Sequence, residues 1–218
     1  MSTIELSLEW RGKKYKNVEA GFEAFGADIE RGVERASPVI RQELELYLKA
    51  VGLAMQKRHS EPWHPGVRAH ELGLFKRSGA LVKAIRDSVQ VSGDKLDDIE
   101  GRIGASLIYA RIQEYGGTIA PVATKYLAIP LPSAMDNRGI PLKKSPREWD
   151  NTFVAKSKAG NLLIFQKRVG KIIPLYVLKS KVTIPPRLGL GDTLRTGADA
   201  FTDRVMNRML KAILDATV

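Results

Sequence analysis

The chain has 218 residues, of which 44% are hydrophobic, and its 35 Lys or Arg against 24 Asp or Glu give a net charge of +11. This length supports one sizeable core, or one domain with a large insertion, and the absence of cysteine excludes disulfides and cysteine-based metal or thiol chemistry. No run reaches the roughly 18 apolar residues of a membrane span, and the acidic, alternating N-terminus is unlike a signal peptide, so we expect a soluble cytoplasmic product without a membrane partner.

The N-terminal part predicts a strand followed by two helices. Apolar and polar residues alternate over 3–10, which is typical of a half-buried strand. Asn17 is a candidate helix cap before a glycine-weakened helix over 18–36, and Ser37-Pro38 predicts the start of a second helix that ends near Arg58. The apolar stripe of this second helix consists of Ile40, Leu44, Tyr47, Val51 and Met55.

The middle of the chain predicts alternating helix and hairpin. After a loop over 59–75, a short helix is expected over 78–88 and a hairpin over 88–104. A further helix is expected over 105–115, where Gly116-Gly117 would end it because glycine readily takes the left-handed conformation of a helix C-terminus.

The last third predicts a β-rich stretch and a final helix. Turns at 158–161 and 169–171 separate short strands, and Pro130 and Pro132 indicate an edge position in the sheet. Asp192 is a candidate cap for a C-terminal helix that runs to the end of the chain. The C-terminal helix has apolar residues on more than one face, which suggests contact with a neighbouring subunit.

The positive charge is concentrated in one segment. Between Arg138 and Lys181 there are 11 Lys or Arg against two acids, Glu148 and Asp150, whereas the rest of the chain holds 24 bases and 22 acids. Such a segment attracts phosphate or an acidic protein surface, and the alternative is a solvated loop whose lysines serve solubility. The predicted basic patch consists of Arg138, Lys143, Lys144, Arg147, Lys156, Lys158, Lys167, Arg168 and Lys171. Since no nucleic-acid-binding motif is present, we expect at most non-specific contact with DNA.

Residues that could support catalysis are few. His59, His64 and His70 lie within one loop, with Glu61 and Glu71 nearby, but their spacing fits no common zinc pattern. Hydrolase motifs and phosphate-binding glycine-rich loops are absent from the sequence. We therefore expect no catalytic, cofactor or metal site, and a metal-dependent hydrolase using the 59–71 loop remains as a rival interpretation.

The order of these segments resembles that of bacteriophage tail-completion and neck proteins. Two segments match: a helix that ends in a double glycine, and a later Pro-Pro-Arg before the last helix. The matching residues of the first segment are Tyr109, Ala110, Glu114, Tyr115, Gly116, Gly117 and Thr118, and those of the second are Pro185, Pro186 and Arg187. The helix and hairpin over 79–104 also look like the family pattern. The resemblance covers roughly 37–119 and 182–217, and the stretch over 120–181 is longer than in short family members.

The resemblance implies an α+β fold in which long helices pack on an antiparallel β-sheet, as in tail terminators. It implies a body domain over 1–119 and 182–218, with a basic, hairpin-rich insertion over 120–181. The implied role is a structural, non-enzymatic subunit of the phage head–tail joining ring, assembled in the host cytoplasm and located in the virion at the head–tail junction. Tail completion, or tail termination, is the first interpretation, and a neck protein on the head side is its alternative. The implied partners are further copies in a ring, expected to be a hexamer, the tail-tube protein and the head-closure or connector protein. A non-specific nucleic-acid-binding protein is the alternative of another class.

Overall fold

The computed structural model describes residues 8–63 and 74–217, and it confirms the predicted α+β class. Helices are α1 (Val18–Arg58), α2 (Ala80–Asp87), α3 (Ala110–Tyr115) and α4 (Leu190–Thr217). Strands are β1 (Leu8–Trp10), β2 (Lys13–Tyr15), β3 (Gln90–Ser92), β4 (Glu100–Arg102), β5 (Gly117–Ile119), β6 (Leu127–Pro130), β7 (Thr152–Lys156), β8 (Leu162–Arg168), β9 (Lys171–Lys179) and β10 (Val182–Ile184). Short 3-10 turns lie at Pro132–Ala134 and Pro146–Glu148.

The chain divides into two compact units. The first unit comprises Met1–Leu53, Ile85–Gly104 and Asp192–Val218, and the second comprises Ala54–Ala84 and Ala105–Gly191. The predicted body and insertion boundaries, at 119/120 and 181/182, lie at the ends of the paired strands β5 and β10 inside the second unit. That division into body and insertion stays a prediction.

Helix α1 corrects the prediction of two helices separated at Ser37-Pro38. It continues from Val18 to Arg58 with Pro38 inside. A proline in a helix interior costs on the order of 3 kcal/mol, because its nitrogen has no hydrogen and its ring crowds the preceding turn. Here the proline ring faces solvent, while the neighbouring Ala36 and Ser37 are buried, so packing on the inner side offsets the local cost. Asn17 caps the helix as predicted, since its Oδ1 accepts from Glu19 N at 2.9 Å.

The first unit packs α4 antiparallel against α1. Tyr47 of α1 stacks on Phe201 of α4 with ring centroids 4.6 Å apart, and Gly32 of α1 lies against Ile213. Buried Glu43 pairs with Arg208 at 2.8 Å. Because positions 47 and 32 of α1 meet positions 201 and 213 of α4, the two helices run in opposite directions.

The hairpin β3–β4 covers another part of α1 in the first unit. The two strands span less of the chain than the predicted hairpin over 88–104, but their pairing is antiparallel as expected. At Gly101 an added Cβ would lie 2.8 Å from the Leu48 side chain and 2.9 Å from the Leu44 side chain, so a larger residue would require these leucines to move. The small residue thus allows the hairpin to lie close to the helix.

The second unit contains a four-stranded antiparallel sheet in the order β6-β9-β8-β7. Strand β6 lies at an edge, which confirms the position that Pro130 predicted, because proline lacks the N–H needed on a central strand. One face of the sheet is covered by the segment before β7: Ala134, Leu175 and Tyr176 are buried together, with Trp149 packed against them. The Trp149 indole donates to the Tyr176 hydroxyl at 3.1 Å.

Two predicted element boundaries are wrong. Helix α3 begins at Ala110 rather than 105, and Ile108 ahead of it is fully exposed instead of lying on an apolar helix face. Helix α4 begins at Leu190, two residues before the predicted cap Asp192. The predicted strand over 3–10 is seen as β1 from Leu8, and residues 3–7 lie outside the described part of the chain.

Candidate functional site

The two sequence segments that carry the resemblance meet in the second unit. Strands β5 and β10 pair antiparallel, with Gly117 opposite Ile184. The Gln113 carbonyl at the end of α3 accepts hydrogen bonds from Arg187 N at 2.7 Å and Leu188 N at 2.8 Å. Carbonyls in the last turn of a helix need partners outside the helix, so these bonds fix the chain after Pro186 to α3.

Gly116 makes this meeting possible. Its φ is +70°, a conformation that side-chain-bearing residues rarely adopt. A Cβ at this position would lie 2.9 Å from Pro186 Cδ and 3.0 Å from the Ile184 carbonyl oxygen. The double glycine thus ends α3 as predicted, and it also leaves room for the backbone of the Pro-Pro-Arg segment. Gly117 also has a positive φ, of 154°.

Glu114 caps helix α4 from a distance of 76 residues along the chain. Its two carboxylate oxygens each accept one backbone hydrogen bond, from Leu190 N and from Gly191 N, both at 2.9 Å. A carboxylate at a helix N-terminus satisfies unpaired N–H groups and interacts favourably with the helix dipole. The predicted cap, Asp192, lies inside the first turn and pairs with Arg195, which corrects that assignment.

His59 connects the end of α1 to the same assembly of segments. Its side chain is buried; Nδ1 accepts from Leu74 N at 2.9 Å, and Nε2 lies 3.0 Å from the Leu188 carbonyl. Because Nδ1 must accept, Nε2 carries the proton and donates to Leu188. The pKa of His59 is lowered below its usual value. Burial of the side chain is the largest cause, and the nearby Arg58 charge acts in the same direction.

Among the described residues, no metal site supports the alternative of a metal-dependent hydrolase. Both ring nitrogens of His59 are engaged with backbone groups, and His64, His70 and Glu71 lie outside the described residues. No group of three or more potential metal ligands occurs within 8–63 and 74–217. No helix in the same ranges has the length and apolar character needed to cross a membrane.

Not all of the resemblance residues take part in this internal contact. Tyr109 and Tyr115 are exposed, as are Pro185 and Pro186, and Arg187 is half-buried. Ile108, next to Tyr109, is fully exposed. The element therefore has two parts: Glu114 and Gly116 make contacts inside the unit, whereas Tyr109 and Tyr115 are each exposed to solvent.

All nine residues of the predicted basic patch are exposed, but they do not form a single cluster on one element. They lie on the segment before β7, on the two hairpins β7–β8 and β8–β9, and within these strands: Arg138, Lys143, Lys144, Arg147, Lys156, Lys158, Lys167, Arg168 and Lys171. Arg138 pairs with Asp136 of its own turn. Lys156 and Lys158 lie at one end of the sheet, and Lys167, Arg168 and Lys171 lie at the other.

The structure also places apolar residues on the solvent side of α4. Met206 and Leu210 are exposed and lie one turn apart, on the opposite side from Arg208, which binds Glu43 of α1. On α1, Phe22 and Ile29 are exposed as well. The sequence indicated excess apolar residues on α4, but not that Phe22 and Ile29 of α1 would be exposed in the same unit.

Comparison of the chain with protein-family models, with curated proteins and with solved structures finds no match. The resemblance to tail-completion proteins therefore rests on the residues quoted from the sequence.

Proposed function

We propose that this protein is a structural subunit of a phage head–tail joining ring, acting in tail completion as the terminator that caps the tail tube and docks to the head connector. In this role it is not an enzyme. It works by self-association into a closed ring and by fitting its surfaces to two partners, the tail-tube protein and the head-closure or connector protein. It acts at the head–tail junction of the virion.

The observation that carries the proposal is a set of exposed apolar side chains on the first unit. Met206 and Leu210 on α4, and Phe22 and Ile29 on α1, are exposed in a single copy of the chain. Exposed apolar groups that recur at helical spacing on two packed helices favour a protein partner over solvent. In a ring, each copy buries one surface against a different surface of the next, and the contact closes by rotation.

The internal contact between α3 and the Pro-Pro-Arg segment supports the proposal in a second way. The residues of the resemblance include several with a definite structural role, in which Gly116 and Glu114 join parts of the chain that are distant in sequence. A chance match of residue types would not require these residues to meet. A neck protein on the head side of the connector is the alternative within the same class.

The test is the mass of the protein in solution, measured by light scattering, alone and mixed with tail-tube protein. We expect a closed ring, or a monomer that becomes a ring on mixing. A monomer that ignores the tube protein, and instead forms a ring with head-connector protein, would support the neck alternative. A monomer indifferent to both partners would contradict the proposal.

A pair of leucine variants locates the interface. Leu210 is 49% exposed on α4, and Leu96 is 43% exposed in the turn between β3 and β4, so both positions accept a glutamate without burying it. We expect Leu210→Glu to raise the protein concentration needed for half-maximal assembly by at least tenfold, because a charge in an apolar interface must be desolvated. Leu96→Glu should assemble normally. Equal loss in both variants would show that the effect is not specific to α4.

A further inference from the structure

The hairpin between β8 and β9 extends past its neighbours in the sheet. β7 pairs with β8 only from Leu162 to Gln166, and β6 pairs with β9 only from Tyr176 to Lys179. Beyond these points the Lys167 N–H still donates to the Asn151 carbonyl at 3.0 Å, and the other pairs lie within the ribbon, ending in the pair Arg168 and Lys171. The tip, defined here as residues 167–172, is therefore the end of a two-stranded ribbon formed by the two central strands, and it extends past the end of the four-stranded sheet.

The tip is strongly basic and has no acidic neighbour in sequence. Lys167, Arg168 and Lys171 are all exposed, and the whole stretch 151–181 contains seven Lys or Arg and no Asp or Glu. Residues opposite each other in an antiparallel pair share a face. Arg168 and Lys171 thus lie on one face of the ribbon, and Lys167 lies on the other face with Ile172.

Two aliphatic side chains accompany these charges. Val169, in the turn, is fully exposed, and Ile172 is 59% exposed. Lys167 shares its face with Phe165, which stacks on Phe153 of β7 with ring centroids 5.6 Å apart. The turn itself is formed with Gly170 at φ +72°. The ribbon therefore presents an apolar end with cations on both of its faces.

We propose that this tip binds duplex DNA without regard to its sequence, entering a groove end-on. The major groove is about 12 Å wide and admits a two-stranded ribbon. Cations on opposite faces of the ribbon then meet phosphates on the two walls of the groove. Val169, at the turn, faces the groove floor, where its aliphatic side chain makes no hydrogen bond to a base edge. This contact is separate from ring formation, which involves the first unit.

Charge and shape favour DNA over an anionic membrane as the occupant. Membrane-surface elements combine basic residues with a large apolar face, commonly bearing Trp, Phe or Leu, that enters the lipid. The tip has only one valine and one isoleucine as large apolar residues. Its cations lie on both faces of the ribbon, and neither face is purely apolar. Two phosphate walls facing each other match this arrangement, and a single flat layer of headgroups does not.

The test uses Lys167→Gln with Lys171→Gln in the full-length chain, and Lys156→Gln with Lys158→Gln as the matched control. The control removes the same charge from exposed positions at the opposite end of the same sheet. Binding to a fluorescein-labelled duplex of about 20 base pairs is followed by anisotropy as a function of salt. Each phosphate contact contributes about 0.9 to the slope of log affinity against log salt. The tip variant should therefore lose about 1.8 of slope, so that its affinity changes about tenfold less than the wild type's between 50 and 200 mM salt.

A slope retained in the tip variant, or an equal reduction in the control, would overturn the proposal, since the attraction would then come from overall charge. No duplex binding by the wild type would also overturn it. So would tighter binding to vesicles containing phosphatidylserine than to duplex, which would reassign the tip to a membrane surface. Light scattering on each variant reports ring assembly separately, so failure of the DNA contact and failure of the proposed ring are distinguishable.

A second measurement does not depend on affinity. Because the chain has no cysteine, Val169→Cys and Ala159→Cys each create a single attachment point for a photo-crosslinker, one on each hairpin turn. We expect crosslinking to duplex from position 169 at several times the yield from position 159, and equal yields with two duplexes of unrelated sequence. A yield at 159 equal to or above that at 169 would contradict the assignment of the contact to this tip.

Discussion

Replacing Glu114 with alanine should destabilise the second unit more than replacing any exposed acidic residue with alanine. Both carboxylate oxygens of Glu114 accept helix N-terminal N–H groups at 2.9 Å, and the side chain is half-buried. Loss of a helix cap costs about 0.5–2 kcal/mol, and loss of a favourable charge at the helix dipole adds about 0.3–1 kcal/mol. We therefore expect a decrease of about 2 kcal/mol in the free energy of unfolding.

Two further variants separate the causes of this decrease. Glu114→Gln keeps one oxygen acceptor and removes the charge, so about half of the loss is expected. Asp192→Ala removes the acid that the sequence predicts as the cap. Its carboxylate is exposed and pairs with the exposed Arg195, so a loss of about 0.5 kcal/mol or less is expected.

The assay combines urea denaturation with hydrogen exchange at individual amides. Urea midpoints give the difference in stability between variants with equal slopes. Exchange at Leu190 and Gly191 should accelerate in Glu114→Ala and stay close to wild type in Asp192→Ala. If Asp192→Ala were the more damaging substitution, or if the two amides kept their protection without Glu114, the assignment of Glu114 as the cap would be refuted.

Three other predictions concern the same unit. Gly116→Ala should lower the free energy of unfolding, measured by urea denaturation, by about 2 kcal/mol or more, because the new side chain meets both a positive φ and nearby backbone atoms. Gly160→Ala is the control, since Gly160 also has a positive φ but open space around it, and it should lower the free energy of unfolding by about 1 kcal/mol. Equal losses would show that the collision at Gly116 is relieved. Gly139→Ala should shift the Trp63 fluorescence, because a Cβ there would lie 2.5 Å from the indole; an unchanged spectrum would contradict this packing. Because the pKa of His59 is lowered in the folded state, its full contribution to the free energy of unfolding is present above pH 6.5, the unfolded pKa. As the pH decreases towards the folded pKa, the free energy of unfolding should fall by up to about 1.4 kcal/mol per pH unit, which thermal melts from pH 7 to 5 would show. A His59→Gln chain with the same pH dependence would exclude this residue as the cause.

Sequence patterns predicted elements well where one periodic face is buried. Tyr47, Val51 and Met55, all in the predicted stripe of α1, are buried, and the edge position that Pro130 and Pro132 predict is that of β6. The break at Ser37-Pro38 was wrong, because local proline chemistry was overridden by packing on the inner side of the helix. Propensity is a weak signal when tertiary burial opposes it.

The cap of α4 shows why long-range contacts were missed. Asp192 has the right residue type at nearly the right place, so a local pattern selects it. The group that performs the role is Glu114, 76 residues away, and no local pattern connects it to Leu190. The same applies to the Gln113 carbonyl, which receives Arg187 N and Leu188 N. Such pairs become visible only once the chain path between the two segments is known.

The division of labour within the resemblance residues bears on how the proposed ring should be probed. Glu114 and Gly116 are engaged inside the second unit, so substituting them would disturb folding, and a loss of assembly would not identify an interface. Tyr115 is 77% exposed, and Tyr109 lies beside the fully exposed Ile108. Aromatic side chains bury a large area at low entropic cost, which makes them frequent anchors of protein interfaces. A Tyr115→Ala variant that keeps the wild-type urea midpoint but loses binding to the tail-tube or connector protein would therefore locate a partner surface, whereas Glu114→Ala could not do so.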